Sequence, residues 1–292
     1  MKYLFIEQNR SEFPVTRMCH VLEVSRSGYS GWRGRQPSKK QLSKDALKKS
    51  IRECYLDAHD GMAGSPTITA DLRAEGNWPK VSRTRVATVM KEMGLRCRTQ
   101  KKWIQTTDSK HSLPVAPNIL DRNFAVAAPN LVWVSDITYL RVGNRWMYLC
   151  VFIDLFARRV VGWSLAESMH TNHITLALHR AVAWRKPCKG LIVHSDRGVQ
   201  YASIEMRQEL AKIGSIQSMS RKGNCWDNAV AESFFHLLKS RLTNHKTYAT
   251  EFELMKDLFV YIEGYYNRKR RHSTNGWVTP DQFEANFWKR TA

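Results

Sequence analysis

The chain has 292 residues, of which 43% are hydrophobic and 10 are tryptophan, so a folded protein is expected rather than a disordered one. The net charge is +20 and the basic excess is spread over both halves, which favours a polyanionic partner, most simply nucleic acid, over a merely soluble basic protein. There is no apolar run of the roughly 18 residues that span a bilayer, no signal peptide, and no metal-ligand spacing among the six scattered cysteines. These features predict a soluble cytoplasmic protein with reduced thiols.

The first 60 residues are predicted to form an N-terminal helical region, 1–60. Apolar residues at helical spacing in 14–33 indicate two short helices, and Ser25 is suited to cap the second of them. A basic connector with Pro37 follows, and residues 43–58 indicate an amphipathic helix.

A helix-turn-helix is predicted over residues 61–98. One helix covers 67–74, a turn around Gly76 and Pro79 breaks it, and Ser82 caps a second helix that ends near Met93. Two short helices joined by a tight turn are the arrangement that places a recognition helix in a DNA groove.

The second of these helices carries Arg83 and Arg85 near its start, where they are expected to contact DNA. An ordinary helical hairpin with solvated arginines is the alternative. Residues 99–125, which contain Pro114 and Pro117, are expected to form a linker into the next domain.

From residue 130 onward the pattern changes to strands. Three consecutive β-rich runs are joined by short turns, which predicts antiparallel pairing. Helices then alternate with two short strands, and this order predicts an α/β domain with a mixed sheet. The predicted strands cover 130–140, 145–155, 157–165, 191–196 and 215–220, and a long helix is predicted over about 250–266.

Three carboxylates occupy distinctive places in this domain. Asp136 lies within the first strand, Asp196 ends the short strand IVHSD, and Glu232 lies on the helix after the last strand. Each alone has an ordinary explanation as a strand, turn or solvated helix residue. Together they could hold two Mg²⁺ ions about 3.5–4 Å apart for phosphodiester chemistry, because Mg²⁺ prefers carboxylate oxygens.

The motifs WVSDITYL, HSDRGVQYAS and NCWDNAVAESFFHLLK resemble the catalytic core of the retroviral-integrase superfamily. They resemble more closely the transposases of bacterial insertion sequences with two overlapping reading frames, specifically the second-frame product, OrfB. As in that family, Glu232 follows Asp196 by 35 intervening residues, and Lys239 lies seven residues beyond Glu232. The tail YNRKRRHSTNGWVTPDQFE and the segment 61–95 resemble the same family, so the likeness extends over most of the chain.

This resemblance implies a ribonuclease-H-like mixed five-stranded sheet with flanking helices, an integrase-like catalytic core over 126–285 that includes a basic C-terminal segment, and a preceding all-α helix-turn-helix region. It implies that Asp136, Asp196 and Glu232 are both the catalytic residues and the metal ligands. The implied cofactor is Mg²⁺, as two ions, for which Mn²⁺ could substitute. The implied reaction is DNA strand cleavage followed by strand transfer.

The partners implied by the resemblance are double-stranded DNA of the insertion-sequence ends and of the target, further copies of the chain, and the upstream-frame OrfA product as a frameshift fusion. The implied location is the bacterial cytoplasm, in association with the nucleoid. Two alternatives stay open: a ribonuclease-H-like nuclease that only cuts, and a DNA-binding regulatory subunit that is inactive without the upstream product.

The helix that carries Glu232 also presents His236 and Lys239 on the same face, because their spacings from Glu232 are four and seven residues. Lys239 is expected to contact a DNA phosphate and His236 to support the metal ligands. His194, on the same strand face as Asp196, is expected either to support a ligand through a hydrogen bond or to be a satisfied core histidine. Further phosphate contacts are expected from Arg268, Lys269, Arg270 and Arg271.

Other acids and motifs are interpreted as structural or are missing. Asp154 is interpreted as a hairpin residue and Asp227 as the cap of the Glu232 helix. The sequence has no zinc-ligand arrangement, no Walker loop and no G-x-S-x-G motif, which disfavours nucleotide hydrolysis and serine hydrolase chemistry.

Overall fold

The computed structural model describes residues 1–97 and 113–291, and for Cys225 the backbone alone. The chain divides into two compact units, Met1–Ser50 and Ile51–Ala292. Of the predicted linker 99–125, residues 99–112 lie outside the described residues, and 113–125 form neither helix nor strand.

The first unit consists of short helices around a small apolar cluster. Ser25 Oγ accepts a hydrogen bond from the Gly28 amide at 2.9 Å, which confirms the predicted cap. The buried cluster is formed by Ile6, Met18, Cys19 and Tyr29. The helices are α1 (Lys2–Asn9), α2 (Val15–Val21), α3 (Arg26–Arg33) and the first part of α4 (Lys39–Glu53).

The second unit begins with the predicted helical hairpin. Helix α4 passes into a π-helical turn, Cys54–Ala58, and is followed by α5 (Ser65–Ala74) and α6 (Arg83–Glu92). Ser82 Oγ accepts from the Arg85 amide at 3.1 Å, so the predicted cap of α6 is confirmed. Buried Ile68, Leu72, Val86 and Val89 provide the apolar residues of the two helices.

The strands of the second unit, within the residues described, form one mixed five-stranded sheet in the order β3-β2-β1-β4-β5. Strands β1 to β3 pair antiparallel, whereas β4 runs parallel to β1 and to β5. The predicted α/β fold with a mixed sheet is thereby confirmed. The strands are β1 (Val132–Val142), β2 (Arg145–Asp154), β3 (Arg159–Ala166), β4 (Ile192–Ser195) and β5 (Ile216–Met219).

Helices cover both faces of this sheet, and strand alternation divides the core between them. Trp133 belongs to the cluster on the face of α7, whereas Val132 and Val134 belong to the cluster on the face of α10 and α11. Burying each large aliphatic side chain contributes about 1.5–3 kcal/mol. The helices are α7 (Thr171–Arg185), α8 (Val199–Ala202), α9 (Ile204–Lys212), α10 (Ala229–Arg241), α11 (Glu251–Phe259), which continues into a π-helical segment, Val260–Tyr266, and α12 (Pro280–Thr291).

None of the helices in the described part of the chain has both the length and the apolar character needed to cross a bilayer.

Candidate active site

The parallel pairing of β1 and β4 brings Asp136 and Asp196 side by side. The register pairs Val132 with Ile192 and Val134 with His194; Asp136 follows Val134 by two residues on β1, and Asp196 comes directly after the last residue of β4. Because side chains alternate along a strand, Asp136 lies on the face that also carries Val132 and Val134, which α10 covers.

A backbone amide close by orients each of the two aspartates. Asp136 Oδ1 accepts from the Ile137 amide at 2.8 Å, and Asp196 Oδ1 accepts from the Gly198 amide at 2.9 Å. A Cβ atom at position 198 would lie 3.1 Å from Asp196 Oδ1 and 3.0 Å from Gln200 Oε1. Glycine at position 198 therefore allows the amide to approach the carboxylate closely.

Helix α10 carries Glu232 onto the sheet. Its buried side is formed by Ala231, Phe234, Phe235 and Leu238, and Phe234 meets the ring of Tyr266 edge to face at 4.8 Å. Val230 and Leu237 are only partly buried, because the helix turns Ala231 and Phe235 inward. Glu232 and Lys239 are half-buried, and His236 is exposed.

The electrostatics of the three carboxyl groups indicate that they share one pocket. Burial, the charge of Asp196 and then the charge of Glu232 raise the pKa of Asp136 well above its usual range. Burial and the charge of Asp196 raise the pKa of Glu232. Burial lowers the pKa of Lys239 and the charge of Asp136 opposes that change, so Lys239 lies near enough to interact with the acids.

Lys239 also lies over an aromatic ring, with its Nζ atom 4.6 Å from the ring centroid of Tyr139. The face of the Tyr139 ring attracts this cation and helps to orient it. The structure thus brings together Asp136, Asp196, Glu232 and Lys239, as the sequence motifs predicted, and leaves His236 one helical turn beyond Glu232 on the exposed surface.

The chemistry of this donor set fits hard divalent cations. Burial and the charge of Asp196 raise the pKa values of Asp136 and Glu232, and a nearby positive charge would stabilise these groups in their ionised form. Among the described residues, one group of three such donors has all its ligand atoms within 4.8 Å, and that group is Cys54, His59 and Asp71. Within the described part of the chain, Asp136, Asp196 and Glu232 do not form so compact a group.

His194 belongs to a hydrogen-bonded chain below the end of β4. Ser218 Oγ accepts from the amides of Ile119 at 2.9 Å and Leu120 at 3.2 Å, so its own proton is directed to His194 Nδ1 at 2.8 Å. His194 Nε2 then donates to Ser220 Oγ at 3.2 Å. Burial lowers the pKa of His194 to about 4, so the ring is neutral and supports the backbone beside Asp196.

The interpretation of Asp227 as a helix cap is wrong. Asn228 is the N-cap of α10 and makes no side-chain capping bond, while Asn224 caps the preceding 3₁₀ turn, Cys225–Asn228. Asp227 is fully buried and accepts hydrogen bonds from Arg221, Arg122 and Asn118. These donors could not be identified from the sequence, because two of them lie more than 100 residues away along the chain.

Asp154 has a structural role at the end of β2. It is buried, and its carboxylate accepts from the amides of Asn130 at 2.8 Å and Phe156 at 3.0 Å and pairs with Arg185 at 3.2 Å. The sequence-based interpretation as a hairpin residue agrees with these contacts.

The basic residues proposed to contact DNA fall into two groups. Arg83, Arg268 and Lys269 are exposed, and so is Arg85, whose guanidinium lies 6.0 Å from the Trp78 ring centroid. Arg270 and Arg271 are partly buried and make internal contacts. Arg270 bonds to His272, and Arg271 donates to Asp71 and to the Trp277 carbonyl at 2.9 Å.

The Cys54, His59 and Asp71 group joins α5 to this basic segment. His59 Nε2 lies 2.6 Å from Asp71 Oδ2, and His59 Nδ1 lies 3.2 Å from the Tyr265 hydroxyl. Arg271 Nε donates a hydrogen bond to the other carboxylate oxygen, Asp71 Oδ1. Both oxygens of this carboxylate therefore have protein partners, and the group is a hydrogen-bonded junction within the second unit.

Family models match three stretches of the chain. Models described as "Integrase core domain" match residues 126–225 and 232–287, and a model described as "HTH-like domain" matches residues 43–103. Two solved structures show a weaker likeness. One is the simian T-cell lymphotropic virus intasome in complex with PP2A regulatory subunit B56 gamma, at 15% identity and a TM-score of 0.47, covering 80% of this chain and 74% of that chain. The other is the HTLV-2 integrase catalytic core domain in complex with magnesium, at 18% identity and a TM-score of 0.40, covering 54% and 97%.

Similarity to curated relatives extends over nearly the whole chain. The transposase InsF for insertion sequence IS3A of Escherichia coli (strain K12) is 39% identical over 286 residues, which are 97% of this chain and 98% of that protein. The insertion element IS600 uncharacterized 31 kDa protein of Shigella sonnei is 38% identical over 94% of this chain and all of that protein. With this level of identity and an integrase core, the chain belongs to the IS3 family of insertion-sequence transposases, which are polynucleotidyl transferases of the DDE type.

Proposed function

We propose that this transposase uses Asp136, Asp196 and Glu232 as its catalytic carboxylates and that they hold two Mg²⁺ ions, for which Mn²⁺ can substitute. The observation that carries the proposal is the β1–β4 register, which leads from the pair Val134 and His194 to the pair Asp136 and Asp196. The charge of Asp196 raises the pKa values of both Asp136 and Glu232, which supports the proposal further.

The proposed reaction consists of two in-line displacements at phosphorus. Water first displaces a 3′-oxygen at an insertion-sequence end, and the released 3′-hydroxyl then attacks a second phosphodiester and displaces its 3′-oxygen. When bound, divalent ions would activate the attacking oxygen and neutralise charge on the phosphate. Asp136 and Asp196 would hold them from adjacent strands and Glu232 from the helix above, while Lys239 would contact a neighbouring phosphate.

Neutral variants of the three carboxylates test this assignment. Asp136→Asn, Asp196→Asn and Glu232→Gln should each abolish Mg²⁺-dependent cleavage and joining of DNA that carries the insertion-sequence ends. DNA affinity measured by fluorescence anisotropy should persist, because no basic residue is changed. Glu205→Gln, which removes an exposed acid from α9, is the matched control and should remain active. Robust joining by any of the three variants would contradict the proposal.

The same assay decides between cutting and joining. A labelled 3′-end that becomes covalently attached to a second duplex distinguishes a transposase from an enzyme that only cuts. We also propose that the upstream-frame product is a partner of this chain. Joining that occurs only when this product is added, or only in a fusion with it, would support that part of the proposal. We propose that several copies of the chain bring the two insertion-sequence ends together. This step would take place in the cytoplasm, on the nucleoid.

We propose further that the exposed basic residues contact DNA phosphates. The α6 helix would present Arg83 and Arg85, and the C-terminal segment would present Arg268 and Lys269. The internal contacts of Arg270 and Arg271 make these two residues supports of that segment rather than primary phosphate contacts.

A further inference from the structure

A buried carboxylate outside the triad lies five residues before Glu232. Asp227 has no exposed surface, yet its oxygens accept hydrogen bonds from Arg221 at 2.8 and 2.9 Å, from Arg122 at 2.8 Å and from Asn118 at 2.9 Å. The Arg221 backbone amide adds a further bond at 2.9 Å. The Arg221 bonds, above all, hold the pKa of Asp227 far below its usual range, so the group is ionised.

These partners come from two separate stretches of the chain. Asn118 and Arg122 belong to the segment that enters the catalytic domain from the linker, and Arg221 follows the end of β5. Asp227 therefore joins the entering segment, the loop after β5 and the start of α10 at one point. Asp227 is buried, whereas the Arg122 and Arg221 side chains keep 44% and 47% of their exposure, so the expected effect of these ion pairs is on local geometry more than on net stability.

The start of α10 has no capping bond from its N-cap side chain. The N-cap is Asn228, and the preceding turn is 3₁₀ rather than α-helical. Asn228 Nδ2 instead donates to the Ser135 carbonyl at 3.3 Å, immediately before Asp136 on β1. Asn228 thus bonds to β1, and its neighbour Asp227 fixes the loop after β5 against the entering segment.

We propose that Asp227 is a positioning residue: through Arg122 and Arg221 it fixes the first turn of α10 and thereby the distance of Glu232 from Asp136 and Asp196. This inference rests on the proposed function, in which Glu232 is a metal ligand. Without the Asp227 contacts the first turn of α10 would shift, and the three carboxylates would bind divalent ions less tightly. The fold would persist, because the helix is still held by Ala231, Phe234, Phe235 and Leu238.

The test measures Mn²⁺ binding to the full chain without DNA. Electron paramagnetic resonance and calorimetry are the two methods of measurement. Asp227→Asn should weaken Mn²⁺ binding about 10-fold, as loss of a supporting contact to a metal ligand does, with the binding stoichiometry unchanged. The Mg²⁺ concentration for half-maximal strand joining should rise by a similar factor, while affinity for insertion-sequence-end DNA stays the same. A purely structural defect would lower the fraction of binding-competent protein and leave the affinity of the remainder unchanged.

Asp121→Asn is the matched control. Asp121 also pairs with Arg221, at 3.1 Å, but its side chain is 72% exposed. Its change to Asn removes the same charge as the change of Asp227 to Asn. The Asp121→Asn protein should bind Mn²⁺ with the same affinity as the wild type. If Asp227→Asn does not fold, Arg122→Gln, which removes one partner and leaves the others, takes its place and should weaken Mn²⁺ binding to a smaller extent.

Glu232→Gln separates failure of the inference from failure of the proposed function. If Glu232→Gln weakens Mn²⁺ binding but Asp227→Asn or its substitute binds like the wild type, Asp227 has no positioning role. If Glu232→Gln itself binds Mn²⁺ like the wild type, the assignment of Glu232 as a ligand is wrong and the inference falls with it.

Discussion

The carboxyl group of Asp136 lies between β1 and α10, where burial and the charges of Asp196 and Glu232 raise its pKa. The folded protein therefore holds this proton more tightly than the unfolded chain does. Between the two pKa values the folded state binds more protons, so the free energy of unfolding falls as the pH rises through that range. Each unit of raised pKa corresponds to about 1.4 kcal/mol.

We predict from this sign that Asp136→Asn is more stable than the wild type at pH 7 in the presence of a chelator, although it is inactive. The difference in melting temperature should shrink as the pH falls towards about 4, the ordinary pKa of aspartate. Differential scanning calorimetry on both proteins, at several pH values, measures it. His194 is present in both, so its own pH-dependent contribution cancels in the difference.

In the presence of divalent ions, we expect the wild type to be more stable than Asp136→Asn. Mg²⁺ or Mn²⁺ that binds the folded wild type raises its melting temperature by mass action, and the effect on Asp136→Asn should be much smaller. A wild type that is more stable than Asp136→Asn in chelator at pH 7 would contradict the electrostatic account of the site.

At the scale of whole helices, the junction between α5 and the basic segment is held by a partly buried ion pair. Burial acts to raise the pKa of Asp71, but bonds from His59 and Arg271 outweigh it and lower the pKa. Removal of one partner leaves the other charge uncompensated, which costs about 3–5 kcal/mol for fully buried pairs. Since these side chains keep 13% and 19% of their exposure, we predict that Arg271→Gln lowers the free energy of unfolding by about 2 kcal/mol.

A double-mutant cycle measures how strongly the two residues interact. Asp71→Asn combined with Arg271→Gln should cost less than the sum of the single changes, since the pair is lost together. Chemical denaturation of the four proteins gives the coupling energy. Arg268→Gln, three residues away on the same segment, loses only an exposed ion pair with Asp281 at 3.6 Å and should leave stability close to that of the wild type. Additive single changes would show that the junction does not hold α5 to the segment.

Most of the secondary structure could be predicted from periodicity and capping residues, because these are local signals. Ser25 and Ser82 mark helix starts, and alternation in β1 marks the two faces of the sheet. No separate helix was predicted over residues 2–9 within the helical region 1–60, since Ile6 is buried and Tyr3 partly buried, whereas Leu4 and Phe5 face solvent. Helix α12 fully buries only Pro280 and Glu284, and its apolar side is limited to the partly buried Phe283 and Phe287, which pack on Phe156.

The candidate site shows the same division between local and distant information. Asp136, Asp196 and Glu232 could be proposed from spacing and family resemblance, because their types and intervals are written in the sequence. The role of Asp227 could not, since its partners at Arg122 and Asn118 meet it only through folding. A short polar residue before a helix resembles a cap, and only the burial of its carboxylate identifies it as the centre of an ion-pair network.

Over the whole molecule the net charge of +20 sets the expectation for DNA binding. A protein that neutralises phosphates releases condensed cations, so the logarithm of its affinity falls linearly with the logarithm of salt concentration, with a slope of about 0.9 per phosphate contacted on double-stranded DNA. Residues that contact phosphate therefore differ measurably from residues that only support the fold.

We predict that Arg268→Gln and Lys269→Gln each lower the magnitude of this slope by about 1, uniformly for specific and unrelated duplexes, because phosphate contacts carry no sequence information. Arg271→Gln removes the same charge from the same segment, but its guanidinium is bonded to Asp71 and to the Trp277 carbonyl. Its slope should therefore equal that of the wild type at temperatures where it is folded. Anisotropy titrations over a series of salt concentrations measure all three slopes, and a reduced slope for Arg271→Gln alone would place the DNA path across the junction instead of along the exposed Arg268 and Lys269.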